Sequence, residues 1–389
     1  MSTGVTAAKG FVAAGVHAGI RRKALDLAVV RSLPRAVGGG MFTRNRVQAA
    51  PVVVNRLHLE QAEPQAVVVN SGVANSATGE RGKLDALATS AEAARLLDLR
   101  AEEVLVLSTG LVGARLPLVK LLTGLRAAAP RLAPDGGAEA AAAILTTDTR
   151  PKQAAVARDG FAVGGMAKGA GMIHPDLATM LCVLTTDYPL GPGEPIGYLR
   201  PAVERTFNAI TIDGDMSTND TVLLLANGAS GLARTKATDA AFAEAVHEVC
   251  RDLAEQVVAD GEGATVLARI EVSGAVDDAQ ARAIARRIAV SPLVKTALFG
   301  HDANWGRVVV AAGSAPFDGG YAHVDPERIT LAYNGAVVLR RGTPQPAKPE
   351  VSGPSCTIEL DLGLGEGRAS YLTSDLSYEY VRVNAEYTT

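Results

Sequence analysis

Short apolar runs bounded by turn residues alternate along the chain with longer segments whose apolar residues recur three and four positions apart. Residues 65–69 (QAVVV) predict a strand that ends in an Asn70-Ser71-Gly72 turn. Residues 83–97, rich in Ala and Leu, predict a helix. Residues 103–107 (EVLVL) predict a second strand, closed by Ser108-Thr109-Gly110, and helices are expected at 118–128 and 138–145. This mixture predicts an α/β fold of layered sheets and helices.

The middle of the chain reads differently. Residues 164–171 (GGMAKGAG) carry too much Gly for a stable helix, so they predict a loop or a strand with close backbone approach. Residues 179–186 (TMLCVLTT) read as a buried strand. A helix at 195–207 has Pro at its start, where Pro is tolerated. A strand at 221–226, an amphipathic helix at 237–258, a strand at 266–272 and a helix at 278–289 follow. Residues 329–383 read as short strands and turns, with an exposed Pro-rich loop at 344–354. No internal repeat or low-complexity tail is present.

Composition narrows the function classes. The 389 residues leave room for more than one domain, and 48% of them are apolar, with few aromatics. The net charge of −3 and the lack of a basic stripe exclude a nucleic-acid partner. Cys182, Cys250 and Cys356 are odd in number and far apart, which fits neither a disulfide framework nor a zinc site. A reducing, cytoplasmic setting is expected. The N-terminus lacks a continuous apolar core, and no stretch reaches the ~20 apolar residues that span a bilayer. No membrane association is expected.

The candidate chemistry is soon reduced to one region. His17, His58, His174, His247, His301 and His323 form no close ligand pair, so no metal is expected. His301-Asp302 reads as structural. The Lys in GGMAKGAG lacks Walker spacing, and the acid in GLGEGR at 363–368 repels phosphate. No GxSxG elbow exists. There remains Lys168-Gly-Ala-Gly-Met-Ile-His-Pro-Asp-Leu-Ala178-Thr179-Met-Leu. If the Ala178–Thr179 bond were cut, Thr179 would carry both a hydroxyl and a free amine. An α-amine of pKa about 7.7–8.0 can accept the hydroxyl proton with no histidine. The same hydroxyl can make the cut by attacking the Ala178 carbonyl, through an ester. The plainer reading, the start of a strand, is the commoner one. Ser108-Thr109-Gly110 offers a hydroxyl and N–H groups to an oxyanion, or simply ends a strand. The loop Asp260-Gly-Glu262-Gly-Ala-Thr265 suits an ammonium group, or caps a helix. Asp213-Gly-Asp215-Met-Ser-Thr-Asn219-Asp220 is a polar site or a solvated turn.

Several segments together resemble the ornithine acetyltransferase family, also called the bifunctional glutamate N-acetyltransferase family. They run nearly the whole length: Phe42 to Pro51, Ser108-Thr-Gly110, Thr146-Thr-Asp-Thr149, Lys168 to Pro175 and Ala178-Thr-Met-Leu181. Further on are Thr211-Ile-Asp-Gly-Asp215, Ser217 to Thr221, Asp260 to Thr265, Ser291 to Thr296, Asn304-Trp-Gly-Arg307 and Tyr380 to Thr389. The resemblance implies a precursor that cuts itself between Ala178 and Thr179 into chains 1–178 and 179–389. The second chain includes a C-terminal α/β subdomain over about 230–389. The two chains stay together and pair into an α2β2 heterotetramer. Thr179 is the implied nucleophile, taking acetyl from N-acetylornithine and passing it to glutamate by a ping-pong route. Thr109 and Gly110 match the oxyanion-hole positions. Thr146, Thr147, Lys168, Thr179, Glu262, Asn384 and Thr389 match substrate contacts. No cofactor is implied, because the acetyl group rides on Thr179. The implied fold is an α/β sandwich reminiscent of N-terminal-nucleophile hydrolases but of different topology.

Some positions depart from the family pattern. Val73 and Ser76 stand where Asn and Ala are commoner, Met216 where Thr is, and Val266 where Lys is. Some members also use acetyl-CoA; with no pantothenate or phosphate cleft legible here, acetyl recycling is expected. Rival readings are a self-cleaving Thr-nucleophile aminopeptidase or amidohydrolase, a paralogue serving another pathway, and an uncleaved binding protein on the same scaffold.

Overall fold

The computed structural model describes residues 4–158, 160–174 and 180–386. Two sheets and two helical layers make a four-layer sandwich, and a third sheet with its own helices follows. The first sheet has the order Phe11–Val16, Leu27–Ser32, Ala66–Val73, Val104–Leu111. Its last pair is parallel and the others are antiparallel. The second sheet has the order Val37–Phe42, Thr221–Ala226, Leu181–Thr186, Phe161–Lys168, Lys152–Arg158, parallel only between 221–226 and 181–186.

Period-2 alternation explains the layering, because successive side chains leave a strand on opposite faces. Val67, Val69, Leu105 and Leu107 meet Leu181, Val183, Leu223 and Leu225 in the seam between the sheets. The intervening residues point outward. Ala66, Val68, Val104 and Val106 pack on helices Gly79–Leu97 and Leu118–Ala128. Cys182, Leu184, Val222 and Leu224 pack on Pro195–Arg205 and Lys236–Ala259. Strands buried on both faces thus read as unbroken apolar runs.

The third sheet has seven strands, with Leu267–Ala275 between Ser355–Asp361 and Gly367–Ser374. It packs against Asp278–Ala289 and Trp305–Gly313 in a separate core that includes Ile270, Ile284, Val308 and Ile358. Asp277 and Asn304 cap those two helices, each accepting a backbone N–H with its side chain.

The expected α/β layering is present, and the helices at 118–128 and 278–289 and the strand at 221–226 fall on the expected residues. Three local expectations are corrected. Asn70-Ser71-Gly72 and Ser108-Thr109-Gly110 are not turns. Both lie inside strands that run on to Val73 and Leu111, where a register shift replaces the turn. Residues 378–383, read as strand and turn, lie in the helix Tyr378–Glu386. Of the two alternatives for residues 164–171, Gly164 and Gly165 are in a strand: a Cβ on Gly164 would stand 1.9 Å from the Gly4 carbonyl oxygen. Leu181–Thr186 is a wholly buried strand, while Ala178 and Thr179 lie outside the described residues.

Candidate active site

At one end of the seam the same strands change character. Ser108, Thr109 and Gly110 continue the apolar run 104–107, and Lys168 ends the strand that begins at Phe161. A pocket of about 310 Å³ opens here, lined by Thr109, Gly110, Thr146, Thr147, Lys168, Glu262 and Asn384. These seven are the expected oxyanion and substrate positions that fall within the described residues. Ala178, Thr179 and Thr389 lie outside them. Larger clefts exist elsewhere, one of about 530 Å³ between helices 195–205 and 236–259, but no candidate residue lines it.

Backbone geometry fixes the Thr109–Gly110 edge. Gly110 has φ +125, and a Cβ there would stand 2.3 Å from the Gly72 carbonyl carbon. Only glycine fits this conformation and this approach. From below, the Asn219 amide donates to the carbonyls of Ser108 (2.8 Å) and Ala74 (2.7 Å), while Ser108 Oγ donates to Asn70 Oδ1 (2.6 Å). Ser76, one of the departures from the family pattern, donates to Thr218 Oγ1 at 2.7 Å and so ties its loop to the 217–219 segment. Thr109 is nearly buried, and its hydroxyl makes no hydrogen bond among the described residues.

A buried charge cluster supports the opposite wall. Lys152, wholly buried, donates to Asp148 Oδ1 at 2.6 Å and to Asp260 Oδ2 at 2.5 Å. Asp148 also accepts the backbone N–H groups of Thr146 (3.0 Å) and Gly169 (2.7 Å). Burial opposes its charge, but Lys168 and Lys152 outweigh that and hold its pKa well below the usual carboxylate range. Asp260 further accepts the N–H of Thr149 at 3.1 Å and its hydroxyl. One lysine therefore joins the 146–149 loop to the end of helix Lys236–Ala259. Arg21 completes that loop by donating to the carbonyls of Leu145 (2.8 Å) and Thr146 (3.3 Å).

Lys168 has no hydrogen-bond partner among the described residues, though it is buried. Burial lowers its pKa below the ordinary lysine value. Asp148 resists that shift, Lys152 adds to it, and Asp220 and Glu262 oppose it more weakly. An unpaired cation facing a pocket is a site for an anionic ligand group.

Glu262 is placed by the loop after the long helix. Its N–H donates to Ala170 O at 2.7 Å, and Gly171 lies so close that a Cβ there would meet the Glu262 carboxyl carbon at 2.6 Å. Asn384 Nδ2 donates to Glu262 Oε2 at 2.8 Å. The helix Tyr378–Glu386 that carries Asn384 is docked by Ser377 Oγ donating to Gly263 O at 2.6 Å. Asp375, next to it, accepts the N–H groups of Thr265 (2.8 Å) and Val266 (3.0 Å). Asp260 thus does cap a helix end, and the same loop also presents Glu262 to the pocket.

The segment before residue 175 is tied down as firmly. Asp213 accepts the N–H groups of Met172 (2.6 Å) and Ile173 (2.9 Å). Arg286 donates twice to His174 Nε2, at 2.6 and 3.2 Å. Asp148 and Lys152 were not singled out as functional from the sequence, whereas Asn219 belongs to the 213–220 stretch, by sequence a polar site or a solvated turn, and here supports the Thr109–Gly110 edge. Lys152 gave one available signal, a lysine opening a strand of small apolar residues. Among the described residues no group of three His, Cys, Asp or Glu side chains could hold a metal ion, and no helix is long and apolar enough to cross a membrane.

A family model described as ArgJ family matches residues 12–389. A protein of Mycolicibacterium paratuberculosis named arginine biosynthesis bifunctional protein ArgJ is 49% identical over 397 aligned residues, covering 99% of this chain and 96% of that protein. The protein of the same name from Mycobacterium tuberculosis is 48% identical, with the same coverage. A crystal structure of ornithine acetyltransferase complexed with ornithine, from Mycobacterium tuberculosis, is 45% identical with a TM-score of 0.44; the match covers 46% of this chain and 96% of that one.

Proposed function

The chain belongs to the ArgJ family, and from that membership and the pocket we propose that it is the acetyltransferase that moves acetyl from N-acetylornithine to glutamate in arginine biosynthesis. One observation carries the assignment of residues: Thr109, Gly110, Thr146, Thr147, Lys168, Glu262 and Asn384, scattered over 276 positions of sequence from 109 to 384, line a single pocket.

The chemistry proceeds as follows. The precursor cuts itself after Ala178, giving chains 1–178 and 179–389. The freed α-amine of Thr179 accepts the proton of its own hydroxyl, and the hydroxyl oxygen attacks the acetyl carbonyl of N-acetylornithine. Negative charge develops on the carbonyl oxygen, and the Thr109 hydroxyl with the Gly110 N–H stabilises it. The tetrahedral adduct collapses, ornithine leaves as the amine, and acetyl remains on Thr179. Glutamate then attacks the ester with its amine and leaves as N-acetylglutamate. No cofactor is needed, since the acetyl group stays on the enzyme between the two half-reactions.

Lys168 receives the α-carboxylate of either amino acid by a charge-assisted bond. Glu262, with one oxygen already held by Asn384, receives the side-chain ammonium of the ornithine half. Thr146, Thr147 and Thr389 add polar contacts around the rest of the substrate. Holding the acetyl amide in line in this way lowers the entropic part of the barrier. The two chains remain one folded unit and pair into an α2β2 assembly. Three free, buried cysteines fit a cytoplasmic enzyme.

The test is intact-mass analysis under denaturing conditions, with an assay of N-acetylornithine consumption. Two masses matching 1–178 and 179–389, and consumption that rises with glutamate, are expected. Consumption indifferent to glutamate would point to a hydrolase. In Thr179→Ala the chain stays uncut and transfer falls by about 10³-fold or more, as expected for a lost nucleophile; a variant that still cuts and transfers would overturn the role.

A further inference from the structure

We propose that Met172 sets the donor preference of the pocket: its side chain lies along the methylene chain of bound N-acetylornithine, beside the ammonium held by Glu262. The proposal rests on the function read above and deepens it.

The backbone marks this residue first. Met172 has φ +58, in the left-handed region that penalises any residue with a Cβ. Seven other non-glycine residues among those described have a positive φ. Asn75, Asp98, His301, Asp318 and Asn334 are of the types that tolerate it. Ala77 and Arg341 are not, but neither lines the pocket, and Met172 does. A strained conformation persists only where the surroundings impose it. Asp213 does so here, accepting the N–H groups of Met172 at 2.6 Å and Ile173 at 2.9 Å. Glycine would make the same turn without strain. A methionine in a place that suits glycine points to a role for its side chain.

That side chain is not spent on the interior. Met172 is 44% exposed and joins no apolar core among the described residues. It lines the pocket instead, with Lys168, Gly171 and Glu262. Gly171 is packed on Glu262, where a Cβ would meet the carboxyl carbon at 2.6 Å. Consecutive Cα atoms stand about 3.8 Å apart, so Met172 begins one residue from that carboxylate. The large apolar side chains of the lining are Leu111, Val112 and Met172. The first two continue the Thr109–Gly110 edge, which leaves Met172 as the apolar wall beside the acid.

The donor gives such a wall something to hold. Between its α-carbon and its ammonium, ornithine carries a chain of methylenes, which leave water favourably for an apolar surface. A methionine side chain is unbranched and adaptable, so it can lie along that chain. Excluding water beside Glu262 also strengthens its attraction for the ammonium. Glutamate gains less. Its methylene chain is shorter and ends in a carboxylate, which Glu262 repels. The wall therefore favours the donor half-reaction over the acceptor half-reaction.

Steady-state kinetics of the mature enzyme separate the halves, because in ping-pong transfer kcat/KM for each substrate reports its own half-reaction. Met172→Asn suits the left-handed turn better than methionine does, but it ends in a polar amide. We expect kcat/KM for N-acetylornithine to fall by about ten-fold, kcat/KM for glutamate to stay near wild type, and thermal stability to hold or rise. Met172→Leu, apolar and no less strained, should keep kcat/KM for N-acetylornithine close to wild type. Equal losses for both substrates overturn the proposal. So does an Asn variant equal to wild type, or a Leu variant as poor as the Asn one.

Wild-type enzyme supplies a second reading that stands even if the variants do not mature. Peroxide converts an exposed methionine to its sulfoxide, and peptide mass reports which residue has reacted. Saturating ornithine should slow the oxidation of Met172, and an oxidation rate indifferent to ornithine overturns the contact. Failure of the underlying reading looks different, since wild type would then not transfer acetyl from N-acetylornithine to glutamate at all.

Discussion

The seam of the sandwich and the pocket at its end are made by the same strands, yet they are built on opposite terms. In the seam Leu105 and Leu107 meet Leu181 and Val183 through side chains that need only shape and apolarity. A few residues further along the same strands, nearly every group has a named partner: Ser108 with Asn70 and Asn219, Lys152 with Asp148 and Asp260, Glu262 with Asn384. Among the described residues the Thr109 hydroxyl and the Lys168 ammonium have none, and both residues line the pocket. The difference teaches where to look for chemistry. Unspent polar groups stand out only against a background in which all the others are spent.

Substitutions should separate the two regions. The largest effect is expected at Lys152, the buried cation of the polar end. Lys152→Met leaves Asp148 and Asp260 buried without their cation, and stability should fall by about 3–5 kcal/mol, read from denaturant unfolding. The pH dependence has a definite sign. Asp148 has a depressed pKa in the fold, so the stability it supplies is present above the ordinary carboxylate value of about 3.9 and is lost as pH falls toward its folded value. The gap between wild type and variant should therefore be widest near neutrality and narrow below about pH 4. A gap independent of pH would mean that lost packing, and not charge, is responsible.

Leu105→Ala comes next and touches the seam alone. About 2–5 kcal/mol of stability should be lost, with KM and kcat per folded molecule unchanged. Altered kinetics would show that the seam transmits strain to the pocket. Thr109→Ala should do the reverse. Thermal stability stays near wild type, while kcat falls by about 10²-fold through a lost oxyanion donor; unchanged kcat removes its hydroxyl from the chemistry. The smallest effect is expected at Asn384→Ala, where one hydrogen bond that positions Glu262 is lost. A bond of about 1 kcal/mol corresponds to roughly a five-fold rise in KM for N-acetylornithine with kcat unchanged, and an unchanged KM would separate Asn384 from the positioning of Glu262.

The seam was largely legible in the sequence and the polar end was legible only in part. Runs such as 103–107 and 221–226 announce a strand buried on both faces, and Leu118–Ala128 announces a helix. Strand ends rich in Ser, Thr and Gly do not, because those residues are turn formers by default. Ser108–Gly110 stays extended with the Asn219 amide holding the Ser108 carbonyl, and Asn70–Gly72 with the Ser71 N–H and hydroxyl donating to the carbonyls of Asp26 and Ala143. The Tyr-Val-Arg-Val stretch of 380–383 reads as strand by its residues. It is helical through docking of Ser377 on Gly263 and through Arg382 bridging Glu379 and Glu386. Thr109, Gly110, Lys168 and Glu262 stood in segments that read equally well as plain turns, loops or caps, and family resemblance picked out the site. Lys152 and Asp148 escaped, because a buried ion pair joining one strand to the end of a distant helix leaves no local pattern.

The order of strands in the second sheet carries a final consequence. Leu181–Thr186 lies in the middle, with Phe161–Lys168 on one side and Thr221–Ala226 on the other, and Val37–Phe42 closes the far side of 221–226. If the backbone is severed after residue 178 as proposed, the sheet is woven from two molecules in the order one, two, two, one, one. Neither piece can leave without tearing a ladder out of the other's interior. Dilution will not part them, exchange with free pieces will not occur on the timescale of ordinary subunit exchange, and the two should be degraded together, as a single object with four ends.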